Sequence, residues 1–158
     1  MSKTFEVQIR KAGPQDAELV RRLVRKAYAQ WIPIIGREPM PMKADYEWAV
    51  RDHDIDLLYA DGNLAALIEV LAKPDHLFIE NIAVIPSLQR QGMGRRLLSH
   101  VAEKARKEKI AELRLLTNQA FESNIRLYKS VGFQIVRTEP FPGGGTTVYM
   151  CKAIADPE

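Results

Sequence analysis

The segment that most constrains the fold of this chain is Gln89-Arg90-Gln91-Gly92-Met93-Gly94-Arg95-Arg96. A strand-like run, Leu77 to Ile85, leads into it, and a helix-like run from about Gly92 to Glu108 follows. Met93, Leu97, Val101 and Ala105, flanked by Leu98 and Ala102, form one helical stripe, so the helix starts at the glycines. The first N–H groups of a helix have no intrahelical acceptor and point outward, which suits an anion. Between Asn81 and Ala102 there is no Asp or Glu, whereas Arg90, Arg95 and Arg96 lie inside that window. Arginine at a helix start opposes the macrodipole, which favours acids there. An anion held at the turn removes the conflict. A Walker A loop is absent, and the position of the third glycine in a dinucleotide fingerprint is Leu97. Gly-x-Gly alone reads first as a tight strand-to-helix turn, so the context must decide.

The rest of the chain supplies that context. Its 158 residues suit one domain over 1–158 with one core. A net charge of +3, with acids interspersed outside the 81–102 window, indicates a local anion site and not a nucleic-acid surface. Cys151 is the only cysteine, so no internal disulfide forms and a reducing, cytoplasmic setting is expected. Met1 to Glu6 carries no apolar stretch of the secretory kind. Leu64 to Ala72 is too short to span a bilayer and contains Glu69, so no membrane partner is expected.

Phe5, Val7 and Ile9 alternate as a strand, and Gly13-Pro14-Gln15-Asp16 opens a helix with the stripe Leu19, Val20, Leu23, Val24, Ala27. Trp31 to Met42 holds Pro33, Gly36, Pro39 and Pro41, which argue against a regular helix there. A short helix is predicted over Ala44–Arg51. Leu57–Ala60 and Leu64–Leu71 read as a hairpin across Asp61-Gly62-Asn63. Beyond the long helix come a strand at Glu112–Thr117, a helix at Glu122–Val131, and strands at Phe133–Arg137 and Thr146–Lys152. The order β-α-α-β-β-β-α-β-α-β-β predicts an α/β (α+β) fold, a mixed sheet with helices on both faces.

About thirty residues after the glycine turn comes Asn124-Ile125-Arg126-Leu127-Tyr128-Lys129-Ser130-Val131-Gly132-Phe133. The set from Ile82-Ala83-Val84-x-Pro-x-x-Gln-x-x-Gly-x-Gly through Leu-Tyr-x-x-x-Gly-Phe resembles the GCN5-related N-acetyltransferase (GNAT) superfamily. The resemblance covers roughly Phe5 to Lys152 and is strongest over residues 77–133. It implies a central mixed sheet that splays beside its fourth strand, with acetyl-CoA entering the splay. On that pattern the backbone of Ile82, Ala83 and Val84 holds the pantetheine arm. Gln89 and the amides of Arg90, Gln91, Gly92, Met93, Gly94 and Arg95 hold the pyrophosphate. The phosphate charges of coenzyme A then answer the arginines of the turn.

The resemblance further implies direct attack of a primary amine on the thioester, with an oxyanion donor and a proton for the leaving thiolate. It gives these roles to the Val84 N–H and to Tyr128, whose phenol at roughly 10 lies near a thiol at roughly 8.5. Glu80 is the candidate base: strand alternation sets it with Phe78 and Ile82, where desolvation would raise its carboxyl. A solvated strand carboxylate is the competing reading. A bulge near Asn81–Ala83 would break the alternation. One position departs from the family: its cofactor-touching Asn, seven residues before the tyrosine, is Phe121 here, which leaves Asn118 and Asn124 as candidates. Tyr28, Trp31, Arg37 and Met42 are the candidate acceptor wall, with Arg37 suited to a carboxylate. A Pro-braced loop is the competing reading.

His53, His76 and His100 have no partner at metal spacing, so no metal is expected and surface positions are. Cys151 reads as a small strand residue, not a nucleophile. The resemblance implies acetyl-CoA as cosubstrate, a small-molecule or peptide amine as acceptor, and a homodimer as one expected assembly. Its rival is an acyl-CoA-binding sensor module of the same fold. A basic nucleic-acid-binding domain is a second rival, for which the motifs give no reason.

Overall fold

The computed structural model describes residues 4–155; the expectation of no secretory leader at Met1–Lys3 lies outside them. The chain forms two compact units, one of residues up to Val70 with Asn81–Leu97, the other of Leu71–Glu80 with the residues from Leu98 onward. By hydrogen bonding the strand order is β1-β2-β3-β4-β5-β7-β6, a mixed seven-stranded sheet.

The first unit contains β1 (Val7–Lys11), α1 (Ala17–Tyr28), α2 (Ile32–Ile35), α3 (Tyr46–Asp52), β2 (Asp54–Ala60) and the bulk of β3 (Asn63–Ala72). β1 pairs antiparallel with β2, from Val7↔Ala60 to Lys11↔Asp56. β2 turns antiparallel into β3 through Asp61 and Gly62, at φ 51° and 82°. Two successive positive φ values are what the twist of a tight hairpin demands, and Asp-Gly supplies them cheaply. β3 is buried continuously from Ala65 to Val70, which erases the alternation expected of a one-sided strand.

The second unit contains the first half of β4 (Leu77–Val84), most of α4 (Met93–Lys107), β5 (Glu112–Asn118), α5 (Glu122–Ser130), β6 (Gln134–Pro140) and β7 (Thr146–Ala153). β4 and β5 run parallel. β7 lies between β5 and β6 and is antiparallel to both. Leu113, Leu115, Val148 and Met150 point into that unit's core.

Two expectations need correction. The proline-rich stretch does contain a turn of α-helix, α2, because Pro33 lies in the first turn, where its missing N–H was not needed. Gly36, at φ 75°, then ends it. His53 and His76 are not surface residues: their side chains are 12 % and 13 % exposed, against Glu69 and Asp75 at 2.6 and 2.7 Å.

Among the described residues the buried polar side chains are Asp16, Glu69 and Asn81, and each has partners. Asp16 takes two hydrogen bonds from the Arg10 guanidinium, at 2.9 and 3.0 Å, and one from the Gly13 N–H at 2.9 Å. The Arg10 bonds, with help from Gly13, outweigh burial and hold its carboxyl below the usual carboxylate range. A lowered folded value stabilises the fold above the unfolded pKa, and that gain is lost as pH falls through the folded value. Asp16→Asn is expected to cost about 1–2 kcal/mol at pH 7, discounted for the half-exposed Arg10. Urea unfolding should show the gap between variant and wild type closing under acid.

Candidate active site

In the first unit, the end of β4, the turn after it and the start of α4 form one continuous cradle. A short 3-10 turn, Pro86–Leu88, follows the strand. The Gln89 side chain then reaches back, its Nε2 donating to the Val84 carbonyl at 3.0 Å. Arg90 and Gly92 have φ 64° and 83°, while Gln91 between them does not. Such alternation of backbone hand turns successive N–H groups into one concavity, an anion-binding nest. The helix proper begins with the Arg96 N–H donating to the Gly92 carbonyl at 3.0 Å. The Met93 and Gly94 amides precede that bond and stand at the positive end of the dipole. The first turn of α4 carries no acid. A Cβ built on Gly92 would meet nothing within 4 Å, so the space over the nest is open to a guest. Arg90, Gln91, Gly92 and Arg95 are exposed, while Met93 and Gly94 are buried and seat the turn on the unit.

β4 itself is irregular. Leu77 to Glu80 alternate, but Asn81, Ile82 and Ala83 are buried in succession. The parallel ladder to β5 runs from Leu77↔Leu113 to Ile79↔Leu115, and β4 continues beyond it to Val84. The Ile82 carbonyl, 3.0 Å from the Tyr28 hydroxyl, shares that group's one proton with Asn81 Oδ1. Glu80 is exposed, so the burial expected to raise its carboxyl is missing.

The residues expected to wall an acceptor pocket are mostly interior to this unit. Tyr28, Trp31 and Met42 are buried and Arg37 is half-buried. Tyr28 donates to Asn81 Oδ1 at 2.7 Å, and Arg25 caps the Met42 carbonyl at 3.1 Å. A groove of about 800 Å³ runs along α1, floored by Leu19, Leu23, Ile32, Met42, Leu64 and Ile85. Its rim arginines Arg21, Arg22 and Arg25 pair with Glu18 and Glu38.

In the second unit, Tyr128 on α5 is 5 % exposed, its ring 5.9 Å from that of Phe133. Burial pushes its phenol well above the ordinary tyrosine value, away from the near-match with a thiol expected from free residues. The group therefore stays protonated, a hydrogen-bond donor across the neutral range. Asn118 closes the turn into α5: its Oδ1 accepts from the Ala120 N–H and its carbonyl from the Phe121 N–H, both at 2.9 Å. Asn124 is half-buried in the first turn of α5, and Phe121 is buried just before it. Cys151 has its thiol pushed up to about 11 by burial and by the neighbouring Glu112, which makes it a poor nucleophile at neutral pH.

Sequence reasoning passed over Asn81 and Tyr46. The signal available was an amide inside the apolar run Leu77 to Ile85, a position where an unpartnered polar group is costly. Among the described residues no group of three His, Cys, Asp or Glu is placed to hold a metal ion, and no helix is long and apolar enough to cross a membrane.

Known proteins share this fold. The ribosomal protein bS18-alanine N-acetyltransferase of Escherichia coli K12 is 38 % identical over 76 residues, 48 % of this chain and 51 % of that protein. The chain thus spans about half the length of the curated relatives it matches. The crystal structure of the Escherichia coli ribosomal-protein-S18-alanine N-acetyltransferase superposes with a TM-score of 0.77 at 24 % identity, over 97 % of both chains. PaiA N-acetyltransferase from Thermoplasma acidophilum, solved in complex with coenzyme A, gives a TM-score of 0.77 at 18 % identity, over 94 % of this chain and 99 % of that one. Both likenesses concern the fold. The model of the Acetyltransferase (GNAT) family matches residues 19–133, through β4, the glycine turn and α5, and the chain belongs to that family.

Proposed function

We propose that this protein transfers the acetyl group of acetyl-CoA to a primary amine, and that its acceptor is the N-terminal amine of a polypeptide. The observation that carries the donor half is the nest at Arg90–Gly92, which leads into an acid-free helix start with open space above Gly92. Backbone N–H groups and a positive dipole end suit a pyrophosphate. The acceptor half leans on the relatives named for acting on the alanine of ribosomal protein bS18.

Bound acetyl-CoA supplies the thioester carbonyl that the amine attacks. The amides of residues 90–95 hold its pyrophosphate, and the backbone of Ile82–Val84 takes its pantetheine arm in the manner of an added strand. The Val84 N–H donates to the carbonyl oxygen as negative charge develops there. The Tyr128 hydroxyl donates a proton to the departing sulfur. Glu80, exposed on its strand, takes the ammonium proton directly or through water.

The test is release of CoA thiol from acetyl-CoA with a panel of peptides of differing N-terminal residue, set beside small amines and amino acids. Turnover is expected with peptides bearing a free N-terminus and not with the same peptides blocked. Turnover confined to small amines would overturn the acceptor assignment. Tight CoA binding with no turnover on any amine would favour the sensor module.

A further inference from the structure

Asn81 lies at the centre of a hydrogen-bond network within the first unit. The residue is 4 % exposed, on an apolar strand. Its Nδ2 donates to the Tyr46 hydroxyl at 3.2 Å, and that hydroxyl donates to the Pro41 carbonyl at 2.6 Å. Pro41 can only accept, so the Tyr46 oxygen must receive, which sets the Asn81 amide with Oδ1 toward Tyr28. The Tyr28 hydroxyl is 2.7 Å from that oxygen and 3.0 Å from the Ile82 carbonyl. The network thus ties the end of α1 and the start of α3 to one peptide of β4.

That peptide matters for what lies beside it. A trans peptide is planar, so holding the Ile82 carbonyl fixes the Ala83 N–H in the opposite direction. Two residues on, the Val84 carbonyl is held by Gln89 at 3.0 Å. The Ala83–Val84 peptide, which carries the Val84 N–H, therefore lies between two anchored peptides and has little freedom to rotate.

We propose that Asn81, clamped between Tyr28 and Tyr46, is a positioning residue for acyl transfer: it seats the Tyr28 phenol, whose one proton is shared between Asn81 Oδ1 and the Ile82 carbonyl, and the seated phenol restrains that carbonyl and so aims the Val84 N–H. The proposal rests on the reading of Val84 as oxyanion donor. Asn81 touches no reacting atom in this scheme. Its worth is preorganisation, because a donor that must reorient during the reaction loses most of its advantage.

Tyr28→Phe removes one hydroxyl and keeps the ring. It is expected to lower kcat by about tenfold or more, part of what loss of an oxyanion donor costs, with the KM for acetyl-CoA changed by about twofold at most. Amide exchange at residues 83 and 84 should rise about tenfold while exchange in α4 stays as in wild type. Tyr46→Phe, one step further out, should do the same more weakly. Asn81→Leu unseats the phenol but leaves its proton free for the Ile82 carbonyl, so it should lower kcat less than Tyr28→Phe, and the pair combined should be no worse than Tyr28→Phe alone, the mark of residues acting as a unit. Should Asn81→Leu fail to fold, Tyr28→Phe alone decides the matter. A Tyr28→Phe protein with a lowered melting temperature but wild-type kcat and wild-type exchange at residues 83 and 84 would overturn the proposal and leave a packing network. If the wild type acetylates no amine, the functional reading has failed, and exchange at residues 83 and 84 still decides whether the network holds that peptide.

Discussion

Gly92→Asp is expected to abolish measurable CoA binding, or weaken it by about a hundredfold, close to 3 kcal/mol, while leaving the protein folded. The two halves of that result have separate causes. Gly92 offers the carbonyl that accepts the first bond of α4, so it stands as that helix's N-cap. The negative charge suits the positive end of the dipole, which offsets part of what the backbone loses at φ 83°. The same charge, however, would sit in the open space of the nest, where a pyrophosphate is proposed to bind. Gly92→Ala separates the terms. Its Cβ meets nothing, so only the left-handed strain of about 1–2 kcal/mol applies. Calorimetry with CoA should therefore show a modest loss for alanine and a near-total loss for aspartate, although alanine, with no charge to offset the strain, should melt no higher than aspartate. Wild-type affinity in the aspartate variant would remove the anion from this turn.

Tyr128→Phe is expected to lower kcat by about a hundredfold to ten-thousandfold, the usual range for a general acid, with CoA affinity within about twofold of wild type. Its pH behaviour follows from burial. The phenol is raised above its ordinary value, so it keeps its proton below that value and loses it only above the normal tyrosine range. The wild-type rate should accordingly show no falling limb from this group through pH 9. Steady-state kinetics across pH would check both statements. A variant that turns over at the wild-type rate would return Tyr128 to a packing role against Phe133.

How much of this was readable in the chain varies with how local the physics is. Helices α1 and α4 appear where the 3.6-residue stripes place them, because buried apolar faces stabilise them, and α5 appears within the expected Glu122–Val131 run. The Asp61-Gly62 turn was equally legible, since its positive φ values are a property of two adjacent residues. The insertion of β7 between β5 and β6 was not, because strand order depends on pairings between segments far apart. The exposure of Glu80 was not legible for a related reason: alternation fixes which face a residue shares, here with Phe78, but not what covers that face.

By itself the sequence determined the family and the donor-side motif, because glycine, arginine and missing acids fall in one short run where strand meets helix. The resemblance to that family also made Tyr128 the candidate acid. Only the tertiary structure decided what surrounds these groups. It buried the phenol, exposed Glu80, and turned Tyr28 and Tyr46 from pocket candidate and unremarked aromatic into anchors of Asn81. Those outcomes join residues 53 and 35 positions apart. No local pattern encodes such contacts, since they exist only once α1 and α3 have packed against β4 and left a buried amide to be satisfied.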